Sequence, residues 1–473
     1  MQRAYAAVDL GAGSGRVVLG RFHDDGLELG ILHRFHYGPR VSAGHERWDF
    51  EALWRGVCAG LRAASGAPPR SIGVDGWGVD YGLLDEDGEL LEDPVSYRDG
   101  RTAGILDALL QRAPRNDIYA RTGIQFMPIN TSVQLCAQMQ SKEWPQEARR
   151  LLMIPDLVHN RLCDSESGEE TNASTTQLLN AGTRRWDPQL LEAVGVPADV
   201  MPPLVSPGTD LGALDPLLQR RLGLPDVRVI APATHDTASA VIGTPLEDGW
   251  AYISSGTWSM VGLELPAPVL TAEALAANFT NEAGAFRTTR FLKNVMGLWI
   301  LEGCRKAWEQ RGVRLPHDEI SARLAGAPPG ALFIDPDDPR FLNPPDMLEA
   351  VLGYFRETCQ KPVEDPLEVA KAILESLARR YAEVVRKLEA LTGRTIQGIH
   401  IVGGGSQNDF LNQATADACG LPVRAGPVEA AAIGNLLVQA VADGALPDPA
   451  SARSFVARAF QLRSFRPCAG MRC

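Results

Sequence analysis

Two strands joined by a glycine-rich turn are encoded by Tyr5-Ala-Ala-Val-Asp-Leu-Gly-Ala-Gly-Ser-Gly-Arg-Val-Val-Leu-Gly-Arg-Phe22, the stretch that decides the fold. The runs Tyr5–Asp9 and Arg16–Phe22 predict the strands. Glycines allow the backbone N–H groups of the turn between them to point at an anion such as a phosphate. The turn is neither a Walker A loop, since no Gly-Lys-Ser/Thr follows, nor a dinucleotide fingerprint, since a strand and not a helix follows. Taken alone, it is equally well interpreted as an ordinary hairpin.

A second hairpin of the same kind lies in the second half of the chain. The run Gly249–Ser254 predicts a strand, Ser255-Gly-Thr-Trp258 a tight turn, and Ser259–Glu264 the strand that leads away. Chance similarity of two hairpins is the alternative. Otherwise the repetition indicates two related α/β domains that grip a phosphate chain from opposite sides, and we expect them at residues 1–243 and 244–473.

A triple glycine follows the longest helical pattern of the chain. That pattern, Asp365–Ala390, is followed by a Thr-Gly pair that is typical of a helix end, and then by the strand-like run Gln397–Val402. Gly403-Gly-Gly405 comes next, before a second helix predicted from Asp409 to Cys419. With no side chains in the way, a flat ring could lie on this backbone. Close packing of the chain is the alternative explanation.

Near the middle of the chain, Asp236 follows an apolar strand-like run and precedes small residues. A carboxylate in that setting can lie beside a bound substrate, so Asp236 is our candidate catalytic base. The alternative is that Asp236 caps a helix starting at Thr237, because aspartate is a favoured N-cap. The two roles are compatible, and the dipole of such a helix would favour the ionised carboxylate.

Trp77 lies between two glycines at the junction of the predicted strands Ser71–Asp75 and Val79–Asp85. The apolar C–H face of a sugar packs well on an indole, while glycine lets the backbone approach the ligand closely. Trp77 is therefore a candidate platform for a sugar. A core tryptophan at a sheet edge is an equally acceptable interpretation.

Composition narrows the classes of partner. A chain of 473 residues suggests two or three domains, and its formal net charge of -12 argues against nucleic acid and anionic membranes as partners. No apolar run reaches the roughly 18 residues of a spanning helix, and the N-terminus has no signal-peptide core, so we expect a cytoplasmic protein. The eight cysteines contain no Cys-x-x-Cys pair and are expected to be reduced thiols.

Taken together, the strand ending in Asp9, the Gly-Thr hairpin and the triple glycine occur in the order typical of the actin-like ATPase fold. With Asp236 between the halves, the chain resembles the FGGY family of carbohydrate kinases. The more specific matches are Trp77-Gly-Val-Asp80, His235-Asp-Thr-Ala-Ser239 and Lys293-Asn-Val-Met-Gly-Leu-Trp299. Matching stretches extend from residue 7 to residue 405, nearly the whole chain. The resemblance implies two ribonuclease H-like domains with a cleft between them.

The resemblance also implies roles for individual residues. Asp236 would be the base, and Asp9 would hold Mg²⁺ through water. Gly78, His235, Asp236 and Thr237 would contact the sugar, beside Trp77. The residues implied to contact ATP are Ala12, Gly13, Ser14, Gly15, Arg16, Thr257, Asn294, Glu302 and Gly404. The sequence departs from the family pattern at Gly76, Glu302 and Ser406, where threonine, glutamine and cysteine are expected.

Within the family, the chain is most similar to members that act on L-rhamnulose. The resemblance therefore implies transfer of phosphate from ATP to L-rhamnulose, giving L-rhamnulose 1-phosphate, with the sugar and ATP as the partners of a monomer or homodimer. A kinase of another ketose or polyol, such as xylulose or fuculose, is the first alternative. An actin-like ATP-binding sugar sensor or assembly protein without catalysis is an alternative from another class.

Overall fold

The computed structural model of the chain describes residues 3–23 and 26–468. Its strands are β1 (Arg3–Gly11), β2 (Ser14–His23), β3 (Gly26–His36), β4 (Pro39–Ser42), β5 (His45–Trp48), β6 (Ser71–Gly76), β7 (Tyr81–Leu84), β8 (Arg150–Met153), β9 (Gly168–Glu169), β10 (Leu204–Val205), β11 (Asp210–Ala213), β12 (Arg228–Ile230), β13 (Trp250–Ser255), β14 (Trp258–Leu265), β15 (Thr280–Ala283), β16 (Thr289–Met296), β17 (Gly398–Val402), β18 (Val423–Ala425) and β19 (Arg463–Phe465).

The α-helices follow the strands singly in some places and in runs of two to four in others. They are α1 (Phe50–Arg62), α2 (Ile105–Arg112), α3 (Arg115–Thr122), α4 (Thr131–Ser141), α5 (Ile154–Cys163), α6 (Glu170–Ala173), α7 (Pro188–Val194), α8 (Pro216–Leu222), α9 (Asp236–Ile242), α10 (Ala272–Ala276), α11 (Trp299–Gln310), α12 (His317–Leu324), α13 (Met347–Glu357), α14 (Pro366–Thr392), α15 (Asp409–Cys419), α16 (Ala430–Ala442) and α17 (Pro449–Ala459).

The chain divides into two compact units, and neither is one continuous segment. The first unit contains the residues up to Pro245 together with Glu264–Phe291 and Ala430–Ala459; the second contains the remainder. Two segments from the second half of the sequence thus belong to the first unit. The predicted domains, residues 1–243 and 244–473, are each one continuous segment of sequence. That division stays a prediction.

A six-stranded sheet forms the centre of the first unit, in the order β11-β12-β6-β1-β2-β3. Strands β1, β2 and β3 are antiparallel neighbours, while β6 is parallel to β1 and β12 is parallel to β6. Both β1 and β6 are almost entirely buried, because helices cover this mixed sheet. The predicted hairpin at Leu10–Gly15 is therefore the turn from β1 to β2.

The second unit repeats this arrangement. Strands β13 and β14 are antiparallel, β17 is parallel to β13, and β18 is parallel to β17. The long helix α14 begins at Pro366, where Asp365 accepts a hydrogen bond from the Leu367 N–H, and ends before Gly393. Its buried stripe contains the apolar positions expected of an amphipathic helix: Val369, Ile373, Leu377, Tyr381, Val384 and Leu388.

Two absences hold for the described residues. Among residues 3–23 and 26–468, no helix combines the length and the apolar character that crossing a membrane requires. The seven cysteines in this part of the chain are all unpaired thiols, and Cys473 lies outside it.

Candidate active site

Asp9 lies at the centre of a row of charged residues across the sheet of the first unit. It is paired in register with Arg16 on β2 and with Asp75 on β6. The Arg16 guanidinium donates to Asp9 Oδ2 from Nη2 at 2.6 Å and from Nε at 2.9 Å. Burial and the charge of Asp9 raise the pKa of Asp75 well above its usual range. The row therefore holds two carboxylates and one guanidinium at the end of parallel strands.

The turn between β1 and β2 presents two exposed residues, Ala12 and Ser14. Its conformation requires glycine at position 13, where φ is +144°. The Tyr37 hydroxyl donates to the Gly11 carbonyl oxygen at 2.6 Å, and the Tyr37 N–H donates to the Gly13 carbonyl oxygen at 3.3 Å. Tyr37 thus holds the turn through the carbonyl oxygens of Gly11 and Gly13. Ala12 and Ser14 stay exposed, where a ligand can reach them.

Asp236 is the first residue of helix α9, and His235 is its N-cap, without a side-chain capping bond. The helix therefore begins one residue earlier than the capping alternative requires. The Asp236 side chain is 28% exposed, and the Thr237 hydroxyl donates to Asp236 Oδ1 at 3.1 Å. Burial, and next the charge of Asp9, raise the pKa of Asp236 to about 6. With that pKa, the carboxylate is mostly ionised at neutral pH.

The backbone before Asp236 is held by a buried carboxylate that the sequence analysis did not single out. Glu169 Oε2 accepts hydrogen bonds at 2.8 Å from both the N–H and the hydroxyl of Thr234, and it also accepts from the Thr171 hydroxyl at 2.5 Å. Burial raises the pKa of Glu169 to about 7. Since Thr234 precedes His235 and Asp236, Glu169 fixes the position from which both side chains project.

Gly78 and Val79 form a turn with an unusual backbone. A Cβ atom at Gly78 would lie 2.9 Å from the Thr175 side chain, so only glycine fits. Val79 has φ of +71°, which is rare for a β-branched residue. Its N–H donates to Thr175 Oγ1 at 3.1 Å, and its carbonyl accepts from the Thr131 hydroxyl at 2.7 Å. Such strain persists only where surrounding bonds impose it, and it is common at functional sites.

Trp77 is buried, with 6% of its surface exposed. Its indole N–H donates to Asp80 Oδ2 at 2.9 Å, and the Trp48 indole donates to the same oxygen at 2.7 Å. The Trp77 ring also packs against Trp48 and Tyr37, with centroids 4.8 and 6.1 Å away. Only a small part of the indole is therefore available to a ligand, and its role as a sugar platform stays a prediction.

Gly76 connects this region to the Asp236 loop. Its N–H donates to the Thr234 carbonyl oxygen at 2.8 Å. A Cβ atom at Gly76 would meet Leu10 Cβ at 3.1 Å and Pro155 Cγ at 3.3 Å. A side chain at position 76 would therefore crowd Leu10 and Pro155, whereas glycine leaves room for both.

In the second unit, the β13–β14 turn and the triple glycine meet. A Cβ atom at Gly403 would lie 2.9 Å from the Ser255 carbonyl oxygen, and one at Gly405 would overlap the Ser255 side chain. At Gly404, between them, a Cβ atom would meet nothing within 4 Å. The outer two glycines are required by close packing, while Gly404 leaves an open surface. Close packing therefore accounts for Gly403 and Gly405, while a flat ring lying on the backbone at Gly404 stays a prediction.

The other predicted nucleotide residues of the second unit lie on elements joined to the same turn. Thr257 is exposed at its tip, where its carbonyl accepts from the Gly297 N–H at 3.1 Å. Asn294 lies on β16, three residues before Gly297. Glu302 lies on α11, and its Oε2 accepts from Arg305 at 2.5 Å and from His317 at 3.1 Å. The hydrogen bond from His317, aided by the charge of Arg305, lowers the pKa of Glu302. Its negative charge is thus balanced by neighbouring side chains.

Family models match both halves of the chain. The N-terminal domain of the FGGY family of carbohydrate kinases matches residues 4–243, and the C-terminal domain matches residues 251–442. The chain belongs to the FGGY family of carbohydrate kinases. The paired hairpins and Asp236 are therefore features of a member of that family.

Individual relatives are similar over nearly their whole length. The rhamnulokinase of Bacteroides thetaiotaomicron is 43% identical over 471 residues, which cover 99% of this chain and 96% of the relative. The rhamnulokinase of Enterococcus faecalis is 43% identical over 97% of this chain and 93% of its own. The rhamnulokinase of Pectobacterium carotovorum is 45% identical over 98% of this chain and 92% of its own.

Solved structures establish the fold. A gluconate kinase from Lactobacillus acidophilus superimposes with a TM-score of 0.80 at 16% identity, covering 99% of this chain and 94% of that one. A xylulose kinase from the same species superimposes with a TM-score of 0.79 at 17% identity, covering 98% of this chain and 94% of that one. The prediction of two-domain actin-like α/β architecture is confirmed at the level of fold.

The residues around Asp9 fit a magnesium ion held mainly by substrate. Within the described part of the chain, no group of three or more histidine, cysteine, aspartate or glutamate side chains is placed to hold a metal. Mg²⁺ is commonly bound by one or two carboxylates, with waters and phosphate oxygens completing its octahedron. Asp9, with Asp75 and Asp236 close enough to interact electrostatically, suits that mode.

Some functional candidates became visible only in the structure. Asp75 ends a strand in the same way as Asp9, and that repeated pattern was the available signal. Glu282 lies among polar residues on β15 and Arg290 follows Thr289 on β16, so their sequence positions did not indicate the buried ion pair that they form. Glu169 had no comparable signal, because its role depends on a loop 65 residues away in sequence.

Proposed function

We propose that this protein transfers the γ-phosphoryl group of ATP to L-rhamnulose, giving L-rhamnulose 1-phosphate, and acts in rhamnose catabolism. The observation that carries the chemistry is Asp236: a partly exposed carboxylate with a pKa of about 6, held at a fixed position beside His235. The choice of sugar is supported by the rhamnulokinases that are 40–45% identical over nearly the whole chain.

In the proposed reaction, Asp236 accepts the proton of the attacking sugar hydroxyl. The sugar oxygen then bonds to the γ-phosphorus of ATP, and the bond to the β-phosphate oxygen breaks, releasing ADP. General-base assistance of this type contributes about 10²–10⁴-fold. His235, Thr237 and Gly78, with the exposed edge of Trp77, are the proposed sugar contacts.

The proposed ATP contacts lie in both units. In the first unit they are the residues of the β1–β2 turn, Ala12–Arg16, whose backbone N–H groups suit a phosphate. In the second unit they are Thr257, Asn294, Glu302 and Gly404. Asp9 is proposed to hold Mg²⁺ through water, and the ion would neutralise phosphate charge when bound.

Asp236→Asn is expected to abolish turnover while leaving a folded protein that still binds ATP. The amide is nearly isosteric with the carboxylate but cannot accept the hydroxyl proton. Turnover is measured by ADP release, folding by circular dichroism and ATP binding by calorimetry. A variant that retains more than a few per cent of the wild-type kcat would remove Asp236 from the role of base.

A panel of ketoses tests the choice of substrate. ADP release is measured with L-rhamnulose, L-fuculose and D-xylulose, using Asp236→Asn as the blank. Turnover with L-rhamnulose well above the others supports the proposal, whereas turnover only with another sugar contradicts the substrate. Turnover with none would favour an ATP-binding protein without catalysis.

A further inference from the structure

Arg290 is a fully buried arginine that none of the proposed substrate contacts requires. It lies on β16 with no exposed surface, and its Nε donates to the Ala283 carbonyl oxygen at 3.2 Å. Its Nη2 lies 3.0 Å from Glu282 Oε2, so the charge is paired inside the first unit. Burying an arginine and a glutamate is costly unless they are paired, which indicates that the pair has a use.

The contact that suggests this use is between Arg290 and His235. Arg290 Nη2 lies 2.9 Å from His235 Nδ1. A guanidinium nitrogen can only donate, so Nδ1 must be the accepting nitrogen of a neutral imidazole, and Nε2 must carry the proton. Burial, and next the charge of Arg290, lower the pKa of His235 well below its usual range, which keeps the ring neutral.

Glu282 alone would favour the opposite tautomer. Its Oε2 lies 3.4 Å from His235 Nδ1, close enough to attract a proton on that nitrogen. Arg290 lies nearer to Nδ1 and neutralises the glutamate. The Nε2–H tautomer of His235 therefore depends on Arg290, because Glu282 without it would favour a proton on Nδ1.

The protonated Nε2 lies on the side of the ring that faces Asp236. It is 3.6 Å from Asp236 Oδ1, which is longer than a hydrogen bond. The N–H group is thus free to donate to an oxygen atom of a bound sugar beside the carboxylate.

We propose that Arg290, supported by Glu282, is a positioning residue that fixes the Nε2–H tautomer of His235 and so orients the sugar hydroxyl toward Asp236. The inference rests on the proposed role of Asp236 as base. It assigns to the β15–β16 segment, which lies in the second half of the sequence, a part in the chemistry of the first unit.

The tautomer can be measured directly in the wild-type protein. Long-range proton–nitrogen correlation NMR on histidine-labelled protein distinguishes the two neutral tautomers, and a His235→Asn variant identifies the signals of His235 by their absence. We expect the proton on Nε2 and an unprotonated Nδ1. A proton on Nδ1 would overturn the proposal, whatever the outcome of the Asp236→Asn experiment.

Variants test the consequence for turnover. Arg290→Met alone removes the cation that faces the buried Glu282 and could unfold the protein, so the informative variant is Arg290→Met combined with Glu282→Leu, which removes both charges. We expect kcat to fall on the order of 100-fold, as for a misplaced reactant, with the KM for ATP unchanged and a mixture of His235 tautomers. Arg290→Lys keeps a charged donor and should restore part of kcat.

Arg184→Met is the matched control. Arg184 also holds the turn between β15 and β16, through the Gly284 and Thr288 carbonyl oxygens, and it pairs with Glu170. These contacts do not involve His235. If Arg184→Met lowers kcat as much as the double variant, or if the double variant keeps wild-type kcat, Arg290 has only a structural role and the proposal is wrong.

Discussion

At the scale of single residues, the ionisation of Asp236 controls the proposed chemistry. Burial and the neighbouring charge of Asp9 raise its pKa to about 6. A base with that pKa is mostly ionised at neutral pH, and it is stronger than an ordinary aspartate. The environment of the carboxylate therefore matters as much as its identity.

We expect the rate to depend on pH in a way that follows from this shift. The base must be ionised, so kcat/KM should be constant above about pH 7 and fall roughly tenfold per unit well below pH 6. Steady-state kinetics from pH 5 to 8, with L-rhamnulose as the varied substrate, would check this. An acid limb centred near the ordinary aspartate value of about 4 would contradict it.

The buried carboxyl groups by themselves do not cause loss of folding across such a limb, whereas the buried His159 and His400, whose pKa values burial lowers to about 3 and about 4, reduce the stability as pH falls below about 6.5. The pKa values of Asp236, Asp80 and Glu169 are all raised by burial, to about 6, 6 and 7. A group whose folded pKa is raised binds its proton more tightly in the native state, so its contribution to stability grows as pH falls from about 7 toward 4. Thermal unfolding measured over the same pH range is the control.

At the scale of elements, the position of Asp236 depends on how helix α9 packs against α16. Gly434 on α16 lies directly against the Ser239 carbonyl oxygen of α9, and Gly243 at the end of α9 lies against the Ala430 carbonyl oxygen. A methyl group at either glycine would overlap backbone atoms of the other helix. The close crossing sets the axis of α9 and hence the position of its first residue.

Gly434→Ala should destabilise the protein by about 1–3 kcal/mol, because the added methyl group forces the two helices apart, and it should lower kcat because α9 carries Asp236. The matched control is Gly353→Ala on α13, where a Cβ atom would meet only Arg356 Nη2, at 3.7 Å. There the usual helix preference for alanine should stabilise by about 0.5–1 kcal/mol. Urea denaturation of both variants would check this; equal stabilisation would contradict the crossing argument.

At the scale of the whole molecule, the first unit is completed by a segment from near the end of the chain. Asn435 on α16 donates to Asp75 Oδ2 at 2.6 Å, and Gln439 donates to the Ala6 carbonyl oxygen at 3.0 Å. Asp443, just after α16, accepts from Tyr5 and Arg70 at 2.8 and 2.7 Å. The central sheet is therefore covered and held by residues that lie far from its strands in the sequence.

A fragment of residues 1–245 is expected not to fold. It lacks α16, whose Ile433, Leu436, Leu437 and Val438 are buried. At about 1.5–3 kcal/mol each, these four side chains together contribute on the order of the whole stability of a domain, about 5–15 kcal/mol. Circular dichroism and urea titration of the fragment, beside the full chain, would check this. A cooperative transition in the fragment would show that α16 is dispensable.

Much of the fold was predictable because its signals are local. Alternation of apolar residues, glycine-rich turns and helix caps act between residues a few positions apart, so the two hairpins, α14 and the strand before the triple glycine were all predicted. The base role of Asp236 was proposed from its neighbours in sequence and awaits its test. The start of α9 was placed one residue late in the capping interpretation, since a short helix end depends on packing.

The sequence by itself determined the elements, their order and the family, since these depend on short-range preferences and on motifs. Tertiary structure alone decided which distant residues meet. It brought Arg290 to His235, 55 residues away, and Asn435 to Asp75, 360 residues away. Such pairs are set by how strands and helices pack, and a buried charge finds its partner only when the elements assemble. The strands of the first unit are therefore determined by local sequence. The buried polar contacts of Asp75 and His235 in the same unit are made by segments from the second half of the chain.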